Sequence, residues 1–567
     1  MGDAPAATTT TDGTTDHAGK PAVRSKTGTW RACPFILGNE CCERLAYYGM
    51  SSNLVNYMVD RLRQGNASAA ASVNKWSGTC YVMPLVGAFL ADAYLGRYRT
   101  IAAFMALYIV GLALLTMSAS VPGMKPPYCA SASSCGPSGG QNAAFFVALY
   151  LIALGTGGIK PCVSSFGADQ FDDADPREQR SKASFFNWFY MSINVGALVA
   201  SSVLVWIQMN VGWGWGFGVP AVAMAVAVVS FLLGSRLYRH QKPGGSPLTR
   251  MLQVVVAAAR KSRVELPADA AALLFKGDKD NRRRLAHTDQ FRWLDRAAVV
   301  TGEDGGPWRL CPVTQVEELK AVVRLLPVWA SGIVMSAVYG QMSTMFVLQG
   351  NTLDPRMGAS FKVPSASLSI FDTLSVLAWV PVYDRLIVPA ASRFTGHPRG
   401  FTQLQRMGIG LVISVFSMVA AGVLEVVRLR VAAARGMLDS ADYLPISIFW
   451  QVPQYFIVGV AEVFAFIGQI DFFYDQAPDD MRSMCTALSL TSSALGNYLS
   501  TLLVVIVTAV STRGGGLCWI PDNLNRGHLD YFFWLLAALS AVNFVVYLWI
   551  AKWYRCKTTT TTETAAA

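Results

Sequence analysis

"GAFLADAYLGRYRT" (residues 87–100) sits between two long apolar segments, 76–96 and 98–120. Gly87, Asp92, Gly96 and Arg97 are its fixed points. The glycines let two helices approach closely. Asp92 can accept from a helix N-terminus or pair with an arginine, latching one conformational state. The plainer alternative is a loop with charged ends, built from the same residues. Either way, the stretch joins two helices that are each long enough to cross a membrane.

Counting outward gives more such helices. A bilayer core of about 30 Å needs roughly 20 mainly apolar residues. Six segments fall near 35–58, 76–96, 98–120, 142–162, 184–207 and 215–234, and six more near 321–346, 363–388, 403–427, 444–470, 485–511 and 529–553. The chain has 567 residues, is 53% hydrophobic and only 15% charged, with mean hydropathy +0.35. Soluble domains carry about 25% charged residues. The expected fold is an all-α polytopic membrane protein. Its expected parts are a disordered tail (1–30), an N-terminal six-helix bundle (31–234), a basic linker (235–320), a C-terminal six-helix bundle (321–553) and a second disordered tail (554–567).

The net charge of +11 fits an excess of Lys and Arg on the cytosolic side. Nucleic-acid binding would need a basic face on a soluble domain, and no such domain is expected. The linker holds "DKDNRRRLAHTDQFRW" (278–293), so it is placed in the cytosol, and both termini with it. "LGRYRT" (95–100) and "DDADPREQRSK" (172–182) then fall on the same side. The loop 121–141 falls outside, which suits a Cys129–Cys135 disulfide. Asn66 in Asn66-Ala67-Ser68 also falls outside and is a candidate glycosylation site. The eleven cysteines form no metal pattern.

"NECCERLAYYGM" (39–50) breaks the apolar run 35–58. Glu40, Glu43 and Arg44 share one helix face, with Tyr47 and Tyr48 one turn on. Charges inside a span face a cavity and mark an ion or substrate path. A buried pair that only fixes packing needs one acid and one base. Here a second acid is left unmatched, and an unmatched buried acid tends to take up a proton. Other polar residues in apolar spans are Lys160, Asn194, Tyr81, Asp372 and Glu462.

Two six-helix bundles with the 87–100 pattern resemble the major facilitator superfamily. More narrowly, "NECCERLAYYGM" resembles the ExxER signature of proton-dependent oligopeptide transporters, the plant nitrate/peptide transporter family. "GTGGIKPCVSSFGADQF" (155–171), "FFNWFYMSINVGAL" (185–198) and "FFYDQAPDDMRS" (472–483) are similar to further family blocks. "VLVWIQMNVGWGWGFGVP" (203–220) and "IFDTLSVLAWVPVYDRLIVP" (370–389) are closest to the plant di/tripeptide branch.

The resemblance implies a proton-coupled symporter of di- and tripeptides working by alternating access. Glu40, Glu43 and Arg44 would couple protons. Tyr48, Tyr81, Lys160, Asn194, Tyr339, Asp372 and Glu462 would bind substrate. Lys160 would meet the peptide carboxylate or the ExxER helix. Glu462 would meet the peptide amine, or Lys160 when the pocket is empty. Asp372 stands where some relatives have an Asn that holds the peptide. The gating motif is Gly87, Asp92, Gly96 and Arg97. A threonine matching Thr100 is a phosphorylation switch in a related nitrate carrier, which makes a kinase a candidate partner; an ordinary helix cap is the competing reading.

The alternative within the family is transport of nitrate or another small anion. That nitrate carrier uses a cavity histidine on span seven, where this chain places Tyr339. His17, His240, His287, His397 and His528 lie outside the spans or at their edges. No carboxylate lies between Leu326 and Gly350, which leaves the ExxER pair as the expected proton site. A sensor that signals without transport, and a channel, are readings from other classes. No catalytic triad, metal cluster or nucleotide loop stands out, so no enzyme and no cofactor are expected; protons are the coupling ion. The expected surroundings are membrane lipids of the plasma membrane, with the vacuolar membrane as the alternative. Oligomeric state is not legible in the sequence.

Overall fold

The computed structural model describes residues 9–10, 13–127, 136–172, 175–241, 245, 247–266, 273, 287–301, 306–358, 361–396, 400–477, 482–513 and 516–554. Cys129 and Cys135 lie outside the described residues.

The first half of the chain contains α1 (Thr29–Ser51), α2 (Leu54–Asp60), α3 (Asn66–Leu90), α4 (Arg97–Ser120), α5 (Gly139–Ala168), α6 (Pro176–Val199), α7 (Val205–Asn210) and α8 (Trp213–Leu233). A linker helix, α9 (Pro247–Arg260), follows. The second half contains α10 (Val313–Tyr339), α11 (Met345–Gly350), α12 (Ile370–Val382), α13 (Val388–Thr395), α14 (Gln403–Ala434), α15 (Val452–Gln476), α16 (Arg482–Ser511) and α17 (Leu529–Trp553). Wider π-turns at Ala91–Leu95, Ala200–Leu204 and Tyr383–Ile387 let three helices continue past a bend.

Among the described residues, eleven helices are long and apolar enough to cross a membrane. The helix α1 is not one of them, because Glu40, Glu43 and Arg44 sit near its centre. It nevertheless packs between α6 and α8 as a twelfth member. In the first half α4 lies on α5, α5 on α3, and α4 on α8. In the second, α14 lies on α15 and α17, α15 on α12, and α16 on α10. The halves meet chiefly along α3 and α16.

Glycine sets the closest crossings. A Cβ on Gly87 would lie 2.1 Å from the Gly157 carbonyl oxygen, so α3 and α5 touch backbone to backbone. Gly96 has φ +76°, where a side chain is strained, and so lets α4 start directly after the bend. Ser138 and Thr402 each close a capping box, with Gln141 and Gln405, and start α5 and α14.

Two segments differ from expectation. The polar composition of 1–30 predicts a disordered tail, yet residues 13–28 are held in place. Arg24 pairs with Asp172 at 2.6 Å and Asp175 at 3.2 Å. The Gly28 amide donates to the Leu237 carbonyl, and fully buried Arg239 donates to the Thr27 carbonyl at 3.0 Å and to Glu178 at 2.7 Å. The tail's own composition is polar; its partners come from 140 and more residues away, which local reading cannot see. The linker also folds in part. Val254, Ala257, Leu294 and Ala297 form an apolar cluster with Val316 at the start of α10. Beside it His287, Asp295 and Glu317 converge. The Lys320 ammonium, 2.7 Å from Asp295 and 2.8 Å from Glu317, takes the place a cation would need.

Candidate functional site

Where the halves face each other, they enclose a space of about 680 Å³, its mouth included. Tyr47, Tyr48, Tyr81, Tyr339 and Asp372 line it, with Ser77, Ser201 and Asn497. It lies toward the end of the bundle away from the chain termini. Several hydrogen bonds join the halves at or beyond its level. Asn351 donates to Asn56 at 2.7 Å, Asn74 to Ser500 at 2.9 Å, and Thr501 to the Ala71 carbonyl at 3.3 Å.

The helix α1 supplies the charges on one wall. Glu40 and Glu43 are fully buried. Arg44 Nε is 2.7 Å from Glu40 Oε1 and 3.4 Å from Glu43 Oε2. The Glu43 carboxylate accepts no hydrogen bond, and neither does the second oxygen of Glu40. One guanidinium therefore stands against two carboxylates, and Glu43 is the acid it holds more loosely. A close crossing fixes α1 there: a Cβ on Gly196 of α6 would meet the Cys41 carbonyl at 2.7 Å and Arg44 Cβ at 2.9 Å.

Lys160 comes from α5, which carries it to the same wall. Its Nζ lies 3.5 Å from the Tyr47 ring centroid and 4.5 Å from that of Tyr81, without a hydrogen bond. The two rings hold the ammonium by their π faces, an arrangement worth about 2 kcal/mol when desolvated. The expected Lys160–Glu462 pair is not formed. Tyr47 in turn stacks on Trp76, with centroids 5.8 Å apart.

The opposite wall carries acids. Asp372, in the first turn of α12, is buried, and its Oδ1 has no hydrogen-bond partner. Glu462 is on α15, half-buried. Gly459, one turn before it, packs against the Asp372 carbonyl and Ser375. The two carboxylates are thus neighbours, close enough to repel each other when both are ionised. Tyr339 ends α10 and meets Phe466 edge to face. Asn194 points back along α6 and donates to the Tyr190 carbonyl at 2.8 Å.

The remaining expected residues fall elsewhere. Arg97 makes its principal ion pair with Asp169, at 2.5 Å, and only a loose one with Asp92, at 3.9 Å. Asp169 lies within a quoted block, yet sequence spacing favoured the nearer Asp92. Thr100 is fully buried and donates to the Gly96 carbonyl at 3.0 Å, the geometry of a helix-start hydroxyl rather than a presented one. Asn66 is buried, and its amide donates at 3.0 Å to both the Pro521 and Asp522 carbonyls. A glycan on that nitrogen would require this loop to leave.

Asn497, which lines the cavity, and Asn74, buried beside it between the halves, are residues that sequence reading missed. Both aim a side-chain oxygen at Gly340, at 3.5 and 3.1 Å from its built Cβ position. Each is a single amide in an apolar span, a weaker signal than a charge but the same kind.

The sequence profile of the POT family matches residues 98–520. "Protein NRT1/ PTR FAMILY 8.1" of Arabidopsis thaliana is 64% identical over 558 residues, covering 97% of this chain and 98% of the relative. "Protein NRT1/ PTR FAMILY 8.2" of the same plant is 65% identical over 561 residues, with the same coverage. Among solved structures, an auto-inhibited POT family peptide transporter superposes with TM-score 0.67 at 25% identity, over 93% of this chain and 97% of that one. The expected major facilitator fold is therefore the fold observed. By these matches the chain belongs to the POT family, and it is a membrane-embedded, proton-coupled transporter, not an enzyme.

Proposed function

We propose that the chain is a symporter of protons with di- and tripeptides, working by alternating access between two six-helix bundles (31–234 and 321–553). One observation carries the reading. The cavity is lined by Asp372 from the second half, with Glu462 one turn from its packing partner Gly459, and by Tyr47, Tyr48 and Tyr81 from the first, whose rings Lys160 backs and whose helix carries Arg44. A peptide is a zwitterion, and its two ends need those two chemistries. Nitrate needs cations alone and would meet two uncompensated carboxylates.

In this reading, protonation of Glu43 or Glu40 loosens Arg44 from its acids and frees it for the peptide carboxylate. The amine compensates Glu462 and Asp372. With that charge repulsion relieved, the walls close on the substrate and the halves rock. The state described here is closed at the end away from the termini. With the termini in the cytosol, that end is the outer one. The plasma membrane supplies a suitable proton gradient, and each charge moved adds about 2.3 kcal/mol per 100 mV.

The test is current in oocytes expressing the full chain at acid and neutral pH, with surface protein measured. A neutral dipeptide is supplied first, then nitrate. The expected result is an inward current with dipeptide only, larger at acid pH. A current with nitrate and none with dipeptides would overturn the peptide assignment and favour the small-anion alternative.

A further inference from the structure

Glu425 and Arg428 lie in α14, where the sequence places the end of an apolar span at 427. The helix in fact runs to Ala434. Both side chains are fully buried. Arg428 Nη2 is 2.6 Å from Glu425 Oε1, and Nε is 2.9 Å from Oε2. Unlike the acids of the cavity, this pair is well satisfied. Arg428 also donates to Asn525 Oδ1 at 2.5 Å, to the Leu524 carbonyl at 2.9 Å and to Thr352 Oγ1 at 3.3 Å. Glu425 Oε2 accepts from Gln349 at 2.8 Å. The Gln349 oxygen accepts in turn from Gln451 at 2.9 Å and Gln454 at 3.1 Å.

The network converges on one short piece of chain. Gln349 belongs to α11, and Thr352 follows it. A break separates α11 from α10: a 3-10 turn at Gly340–Ser343, then Thr344 with φ −127° and ψ −91°. Thus α11 can tilt apart from α10. Just past its end, Asn351 donates to Asn56 of the other half and accepts from Ser365 at 2.5 Å. Before its start, Gly340, Met342 and Ser343 line the cavity. One end of α11 touches the substrate space and the other touches the opposite half. A buried pair is worth little to stability in comparison with apolar residues of equal size, so its presence here calls for a role in placing something.

We propose that the Glu425–Arg428 pair is a positioning element for transport: through Gln349 and Thr352 it sets the seat of α11, and so governs closure of the cavity at the end away from the termini. The pair does not touch substrate. Its loss changes how readily that end opens and leaves the binding walls intact.

The inference rests on the alternating-access reading, so the test has an arm that needs no substrate. Ser343→Cys is introduced into the full chain, and labelling by a membrane-impermeant maleimide from outside the cell is timed, with the parent chain as blank. Gln349→Leu removes the Glu425 bond to α11 together with the bonds from Gln451 and Gln454, and Glu425→Gln weakens the pair itself. Both are expected to raise the labelling rate at least fivefold. In the chain without the cysteine, both are expected to lower the maximal dipeptide current per surface molecule about tenfold while KM moves less than twofold. Labelling and current per molecule both within twofold of the parent would overturn the proposal. A KM that rises with an unchanged maximal current would also overturn it, since that assigns the network to binding. If no dipeptide current exists in any variant while labelling still rises, the peptide reading fails and the positioning role stands. Should Glu425→Gln not reach the surface, Gln349→Leu decides alone.

Discussion

Arg97 and Arg406 occupy matching places in the two halves. Arg97 opens α4 just after the π-turn Ala91–Leu95, and Arg406 lies in the first turn of α14, one short helix (α13) past the π-turn Tyr383–Ile387; each reaches an aspartate near the end of the next span, Asp169 or Asp471. The energetics differ. Arg97 Nη1 lies 2.6 and 2.5 Å from the two oxygens of Asp169, whose side chain is 9% exposed. Arg406 Nη1 lies 3.2 Å from Asp471 Oδ2, and that side chain is 49% exposed. It also donates to the Val463 carbonyl and lies over the Tyr383 ring. The two arginines are similarly shielded, at 22% and 13% exposure; the difference lies in their aspartates, one buried and one open to water. The cavity shows the complementary asymmetry: the first half holds the cations with their acids, and the second holds acids alone. A zwitterion leaves the net charge unchanged but lets its amine sit at the acids of one wall and its carboxylate at the cations of the other.

The largest effect expected from breaking this asymmetry is at α1. Glu43→Gln removes the acid that Arg44 compensates least. It should abolish the pH dependence of transport, with acid-stimulated current down more than tenfold at equal surface protein. A retained pH response would move proton coupling to Glu40 or to the second half.

Next, Glu462→Gln and Lys160→Ala should each lower dipeptide uptake about tenfold, from opposite walls. They should respond differently to capped peptides. Blocking the amine should no longer matter in Glu462→Gln, and blocking the carboxylate should no longer matter in Lys160→Ala. Uptake of singly capped dipeptides reads this directly, and identical responses in both variants would refute the division of labour.

A smaller effect separates the two latches. Arg97→Ala strands a mostly buried Asp169, at a cost of order 3 kcal/mol. Arg406→Ala leaves an aspartate that water can reach, at a cost below about 1 kcal/mol for the ion pair. Thermal unfolding of the purified chain in detergent should rank Arg97→Ala clearly lower; equal transitions would void the comparison.

The smallest effect lies on the loops. Asp439 and Arg526 pair in the open, at 70% and 52% exposure. The Arg526 guanidinium holds the Asp439 carboxyl below its ordinary range. A depressed acid contributes above its unfolded pKa and loses that contribution as pH falls through the lowered one. Both groups are exposed, so that contribution is small: Arg526→Ala should lower the unfolding temperature at neutral pH only slightly, and a clear drop would show that this loop pair matters more than an exposed pair should.

Much of the candidate site was legible because ionised groups in apolar spans are rare. Glu40, Glu43, Arg44, Lys160, Asp372 and Glu462 announce themselves by cost alone. Asn74 and Asn497 did not, since a single amide is cheap enough to pass as packing. Glu425 and Arg428 escaped because the hydropathy boundary fell between them and made both look interfacial.

By itself the sequence determined the number and order of spans, because each must bury about 20 apolar residues whatever its neighbours do. It also determined where polar groups interrupt them. Only the tertiary structure decided partners. Arg97 chose Asp169, 72 residues away, over Asp92, five residues away. Lys160 chose two aromatic faces over Glu462. Arg428 found Asn525 almost a hundred residues on. The physical reason is common to all three. A buried charge needs a partner at hydrogen-bond or ring-face distance, and which group stands there is set by how helices cross, through contacts such as Gly87 on Gly157 that sequence spacing does not encode.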